Sequence, residues 1–423
     1  MATPASAARA GRTPFANFIP GAHPITLGLA ALTCALLPAY TIRWHVSLYP
    51  STILEDAILV TVAAFVFESW RAGIMPMWRT PFTLPAAVFL VAGAISVVVA
   101  PDRRAALGIY RAYLIEPVLF FWVLANVVRE VRQVWWILGG LAVAGVVVAI
   151  PNAYVDLQAI RHHTLNPSEV APVAIFTNPN DIPLFLMPLI AIAGSLILYA
   201  TDRRIRLLSA AFVVIALGSV LVSFSRGGYL ALAAVALGLA LSHRRRWWLM
   251  GAAVAAAIVL ILIPPINHRL AVEVDFSNGS NTLVGRFELW RVSLQMLQQH
   301  PIFGAGLSGF AQVLAPYWNP THTDRFIYPH NIVLTFWSET GLLGLAAFAW
   351  ILVVGFMKSW RLWRRGGVVW GPVGLGVLLA LVGVVIHGLV DVPYFKNDLS
   401  AEFWILLGLV AAGHAWGMER TAA

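Results

Sequence analysis

Apolar runs about as long as a membrane-crossing helix follow one another along most of this chain, parted by short polar turns. They fall near 25–42, 51–68, 82–100, 108–128, 133–151, 181–200, 206–223, 226–242, 247–264, 331–355, 371–390 and 399–416. Ten-residue blocks of strict alternation are absent, which excludes a β-barrel. The pattern predicts an all-α, polytopic integral membrane protein of about 12 transmembrane helices. One interruption breaks the rhythm. Between Pro265 and Tyr328 the chain turns polar for far longer than a connection needs, then delivers His330-Asn331 to the mouth of the tenth apolar run.

Inside that interruption Leu283, Phe287, Trp290, Leu294 and Leu297 recur at helical spacing. They predict an amphipathic helix whose narrow apolar stripe lies on the membrane or on the bundle. Asn281 or Thr282 caps its start, and Pro301 stops it. Gly304, Gly306 and Gly309 then give a flexible turn before Phe310.

Charge settles orientation. Lys and Arg gather in alternate turns: Arg71 and Arg79, Arg129 and Arg132, Arg203 to Arg206, Arg244 to Arg246, and Lys358 to Arg365. The positive-inside rule puts these turns and both termini in the cytoplasm, and makes the long loop and Arg226 extracytoplasmic. The organisation follows: a disordered cytoplasmic N-terminus (1–24), helices 1–9 (25–264), an extracytoplasmic loop (265–330), helices 10–12 (331–416) and a cytoplasmic tail (417–423). With 60% hydrophobic and 11% charged residues, the net charge of +9 sits mostly in short turns. It serves topology and contact with membrane lipids; nucleic acid is not indicated as a partner. The single cysteine, Cys34, lies in the first apolar run, so neither a disulfide framework nor a cysteine metal site is expected. Arg9 and Arg12 ahead of that run resemble a signal peptide, but cleavage would remove a span and upset the termini-inside arrangement. It is read as an uncleaved anchor.

Several polar residues could carry chemistry. His330 lies beside Asn331, a natural N-cap for the tenth helix, where an imidazole can either accept a proton or simply hydrogen-bond loop backbone. Arg226, at the edge of the hydrocarbon and flanked by Ser225, Gly227 and Gly228, must find an anion, water or carbonyls, or snorkel to headgroups. Arg286 and Arg291 are about 140° apart around a helix, so they cannot both face one site. Arg286 borders the apolar stripe and points to the bundle; Arg291 faces solvent. Arg111 and Glu116 form an internal ion pair or an additional anion site. His387 and Asp391, four apart, read best as a hydrogen-bonded pair locking one helix, though they could line a site. His322 and Tyr328 are further contact candidates, and Glu339 lies too deep to partner His330. His162-His163 has no nearby carboxylate cluster, and no metal is indicated.

The run His330-Asn331, nine residues, then Gly341-x-x-Gly344 resembles the signature of the O-antigen ligase superfamily, polytopic enzymes that transfer lipid-linked glycans. In the same order, Arg226-Gly227-Gly228-Tyr229-Leu230 is similar to its Arg-x3-Leu element. Arg286 to Trp290 is similar to its Arg-x3-Trp element, and Pro301-Ile302-Phe303-Gly304-Ala305-Gly306 to its Pro-x-x-Gly-x-Gly turn. The likeness is strongest over 225–345; after Gly344 the chain has Leu345-Ala346 where some ligases carry Thr-Trp.

The resemblance implies a polytopic enzyme of the bacterial cytoplasmic (inner) membrane with its active site on the extracytoplasmic face. It implies a polyprenyl-diphosphate-linked glycan as donor and a lipid, glycan or protein as acceptor, with no cofactor and no metal. His330 would be the catalytic base; Arg226 and Arg286 would hold the departing diphosphate. Arg111, Arg291, Asn331, His322, Tyr328, Gly304 and Gly306 would contribute to substrate binding. Ligation of finished glycan, polymerisation of repeat units and protein O-glycosylation all remain open, as does a polyprenyl-glycan flippase from a different class.

Overall fold

The computed structural model describes residues 23–46, 49–166, 170–274, 282–318 and 326–422, and the architecture is helical almost throughout. The helices are α1 Pro24–Ala35, α2 Ile53–Ala72, α3 Thr83–Val99, α4 Arg103–Ile109 and α5 Glu116–Val127, the last two joined by a π-helical turn Tyr110–Ile115. Then come α6 Val131–Arg161, α7 Asp181–Tyr199, α8 Arg203–Val222, α9 Arg226–Ser242 and α10 Arg246–Leu262. After α11 Pro264–Val274, α12 Thr282–Gln299 and the short α13 Phe310–Leu314, the chain returns through α14 Ile332–Arg365, α15 Gly367–Gly388 and α16 Asn397–Ala422.

Every predicted apolar run coincides with helix. Six stretches are long and apolar enough to cross a membrane among the described residues: Arg103–Val127, α6, α7, α8, α14 and α15; α1, α3, α9 and α10 are shorter apolar helices. Residues 1–22 of the N-terminal segment, the proposed contact residue His322 and the Asn281 cap lie outside the described residues. The helix α16 continues through 417–422.

Three details depart from the pattern. A small antiparallel hairpin, β1 Arg43–Val46 with β2 Tyr49–Thr52, joins α1 to α2, pairing Arg43 with Thr52 and His45 with Pro50. The described parts of the long polar segment hold three helices, α11, α12 and α13, where the sequence predicted one. Within α12 the predicted stripe holds in part: Trp290 and Leu297 face the packed cluster. Leu289, Val292, Met296 and Leu297 are buried, packing with Ala305, Phe310, Leu314 and Leu334, whereas Phe287 and Leu294 stay exposed. The helix has apolar side chains on more than one face, so spacing alone did not say which face packs inward.

The core centres on α7 and α15, whose side chains are buried almost along their whole length. Without a hydrophobic drive between helices in lipid, close packing holds them, and small residues permit it. Gly376 is the clearest case: a Cβ there would stand 2.7 Å from the Ile192 Cα.

The second half of the long segment is sewn into α14. At Gly341 that helix breaks, with φ 68° and ψ −177°, a conformation open essentially to glycine alone. The Pro301–Gly309 turn fills the break. Leu342 N–H donates to Ile302 O (2.9 Å), Ala305 N–H to Ser338 O (2.7 Å) and Trp337 Nε1 to Pro301 O (2.7 Å). Buried Glu339 accepts from Ser308 N–H (2.7 Å). The two glycine-bearing motifs are thus two halves of one joint.

Candidate functional site

Asn331 fixes the start of α14. Its Oδ1 accepts from the N–H groups of Val333 (3.0 Å) and Leu334 (3.1 Å), as an N-cap should. Its Nδ2 donates to Leu389 O (3.0 Å), tying α14 to the turn that follows α15. His330, one residue earlier, takes φ +50°, a left-handed conformation uncommon for a side chain with a Cβ. Pro329 O accepts from Trp290 Nε1 (2.9 Å), and the Phe326 ring meets the imidazole edge-on at 5.6 Å. The backbone before the ring and one edge of the ring are thus fixed, yet its side chain remains 28% exposed.

Its partner is Asp391. His330 Nδ1 lies 3.0 Å from Asp391 Oδ1, which also accepts from Val392 N–H (2.9 Å). Arg286 of α12 brings Nη2 to 3.9 Å from Asp391 Oδ2. Burial by itself would raise the carboxyl's pKa. The hydrogen bond from His330 and the cationic groups around it, Arg286 among them, outweigh that and hold it at about 2. An ionised carboxylate only accepts, so the neutral imidazole carries its proton on Nδ1 and presents the Nε2 lone pair.

The same depressed pKa predicts a pH dependence. Asp391 contributes stability fully present above about pH 4 and lost as pH falls towards 2, on the order of 2 kcal/mol. Thermal unfolding in detergent should show the wild type losing its advantage over Asp391→Asn across that window. Parallel curves would remove the ion pairing from the account.

Arg226 opens α9 in the same manner. Phe224 is left-handed at φ +51°, and Ser225 then caps the helix by accepting from Gly228 N–H (3.3 Å). The helices α9 and α14 thus each follow a strained residue and a capping residue, the kind of strain that collects at functional sites. The two glycines after Arg226 allow close helix packing, and Gly227 also lines the cavity described below. A Cβ at Gly227 would meet the His387 ring at 2.7 Å, and one at Gly228 would meet Pro183 at 2.6 Å.

Arg226 and Arg286 line one half-open cavity of about 1070 Å³ between α8, α9, α10 and the 177–180 segment. Its lower wall is apolar, running from Leu221 and Leu230 to Ala240 and Met250. From Arg226 to Ala240 along α9 is roughly 21 Å at the helical rise. His330 and Asp391 do not line this cavity; they are linked to it through Arg286, since His330 and Arg286 both reach Asp391.

Other predicted residues fall elsewhere. Arg111 is bound by two carboxylates, Glu55 Oε2 at 2.5 Å and Glu116 Oε1 at 3.6 Å, and also donates to Pro50 O (3.0 Å). Its charge is compensated within the protein, which counts against a role for it on phosphate. Arg291 is 59% exposed and forks onto Glu288 at 2.5 and 2.9 Å. Gly304 (φ +65°) and Gly306 (φ +80°) press against the backbones of Trp337–Ser338 and Ala100, so they build the joint and do not line the cavity. Asn331 spends its side chain on the cap and the tie. Tyr328 packs its ring against Phe395 at 5.6 Å.

Sequence reasoning underrated Asp391. It assigned Asp391 to His387 on one helix face, but α15 ends at Gly388 and the carboxylate sits in the turn beyond, facing His330. His387 is fully buried against Gly227. The signal available was Pro393, which marks a helix end shortly before it.

Together the fold and site define a polytopic helical membrane protein with a histidine–aspartate–arginine constellation at one end of its bundle, beside an apolar groove. Residues 211–349 match the family model described as O-Antigen ligase, and the match supports placing the chain in the O-antigen ligase/polymerase superfamily. The matched span holds Arg226, Arg286 and His330; Asp391 lies beyond it. No curated protein matches the chain.

Proposed function

We propose that this protein transfers a glycan from a polyprenyl diphosphate to an acceptor hydroxyl at the extracytoplasmic face of the cytoplasmic membrane, in surface polysaccharide biosynthesis. One observation carries the reading: Asp391 joins His330 to Arg286, and Arg286 shares with Arg226 the polar end of a long apolar groove.

The groove suits a hydrocarbon tail, and the arginines suit the diphosphate at its head. Arg286 stands 3.9 Å from Asp391, beyond hydrogen-bond range, so its donors remain available to phosphate oxygens. His330 Nε2 takes the acceptor's proton as its oxygen attacks the anomeric carbon. The C–O bond to the diphosphate breaks, and the guanidinium groups stabilise the charge that gathers on the leaving group. Direct attack inverts the anomeric centre.

A flippase has no need of a base presented beside a phosphate site. Transporters also place their ionisable residues near the midplane of repeated halves, whereas this constellation sits at helix ends. Ligase, polymerase and protein glycosylation share the chemistry proposed here. Glycan analysis of a deletion strain separates them: shortened chains indicate polymerase, full-length lipid-linked glycan indicates ligase, and an unglycosylated protein indicates transfer to protein. An unchanged glycan profile sinks the proposal. Arg226→Lys keeps the charge but loses the planar fork, and is expected to lower transfer by roughly tenfold or more. Full activity of purified Arg226→Lys would show that bidentate recognition is not used.

A further inference from the structure

The segment Thr177-Asn178-Pro179-Asn180 lines the same cavity as the two arginines. Among the described residues lining the cavity, Arg226 and Arg286 are the only charged ones. Most of its other polar side chains are already committed. Ser223 Oγ donates to Val220 O (2.7 Å), Ser225 Oγ caps α9, and Tyr229 Oη donates to Leu221 O (2.5 Å). Asn178 Oδ1 accepts from Asn180 N–H (2.9 Å). The Thr177 hydroxyl, the Asn178 amide N–H2 and both ends of the Asn180 amide are left for a ligand.

The segment is held still on both flanks by one cation. Lys396 Nζ sits 4.4 Å from the centre of the Phe176 ring and 2.8 Å from Asp181 Oδ2. Phe176 itself is buried and packs edge-on against Phe185 at 5.7 Å. Lys396 belongs to the same inter-helix turn as Asp391, so the wall and the His330 partner are mounted on one piece of chain.

We propose that Thr177, Asn178 and Asn180 form the subsite that reads the sugar attached directly to the donor's diphosphate; this rests on the function proposed above. A sugar bonded to a phosphate held by Arg226 and Arg286 must lie beside them. The apolar wall is suited to the tail, which leaves this segment as the polar surface within reach. Amides and a hydroxyl offer both donors and acceptors, the match for ring hydroxyls or an acetamido group. With no acid or further base on the wall, the ring in this subsite is uncharged.

The test is direct binding of lipid ligands to the full-length protein in nanodiscs. The probes are bare polyprenyl diphosphate and its glucosyl, galactosyl, N-acetylglucosaminyl and N-acetylgalactosaminyl derivatives. The wild type should bind at least one derivative ten-fold or more tightly than the bare lipid. Asn180→Ala and the isosteric Thr177→Val should each erase most of that gain while leaving bare-lipid affinity unchanged, which also reports that they are folded. The subsite is overturned if the gain survives in both variants, or if no derivative binds better than the bare lipid. A different failure is separable: if Arg226→Ala leaves bare-lipid affinity untouched, the diphosphate reading falls first and the subsite with it.

Discussion

Transfer by His330→Ala is expected to fall by roughly 10²–10⁴-fold, the usual worth of a positioned general base. Donor binding should change little, because the phosphate contacts proposed lie with Arg226 and Arg286. Asp391→Asn should be nearly as damaging although Asp391 touches no substrate. An asparagine can present its N–H2 to Nδ1, which favours the tautomer with the proton on Nε2 and removes the lone pair facing the acceptor. The two variants therefore share a low kcat with a near-normal KM for donor. Asp391→Asn should also alter the acidic limb of the pH–rate profile, a readout that mere loss of packing would not move. Near-wild-type turnover by purified His330→Ala, in protein that still binds donor, would remove the imidazole from the mechanism.

The largest effect on folding is expected at Gly341. Alanine there is strained by the backbone conformation, and its Cβ would approach Ile302 O to 2.5 Å, closer than real contacts allow. Strain of about 1–3 kcal/mol and the overpacking together cost at least about 3 kcal/mol, a large part of the ordinary stability of a fold. Gly73 supplies the control. It is also left-handed, at φ 64°, but a Cβ there meets nothing within 4 Å. Gly73→Ala should cost only about 1–2 kcal/mol. Unfolding of both variants in detergent measures the difference. Equal losses would mean that the joint between the Pro301–Gly309 turn and α14 contributes no specific packing.

Much of this fold was legible because apolar runs and helix ends are local properties. The twelve predicted runs each found a helix, and Asn331 proved to be the cap its sequence position suggested. What failed was long-range or phase-dependent. Leu389 and Val390 continue the apolar run of α15, and Pro393 marks only that the helix ends nearby, not that it stops at Gly388 and swings Asp391 towards a histidine 61 residues earlier in the chain. For Arg111 the sequence offered an ion pair with Glu116 or an anion site; the pair is present, but its second carboxylate, Glu55 of a different helix, was not legible locally. The glycines of the Pro-x-x-Gly-x-Gly turn looked like a loop that accommodates ligand. Only their backbone neighbours reveal that they let two segments meet.

The cavity's flank has a consequence for kinetics. Every residue of α10 is at least partly exposed, and that helix forms one side of the groove below Arg226. A molecule with a hydrocarbon tail can slide in sideways from the surrounding lipid with no passage through water. Its capture would then be a two-dimensional encounter, set by how many copies share each patch of bilayer. Diluting the donor with inert phospholipid should slow the reaction, whereas diluting whole proteoliposomes in buffer should not.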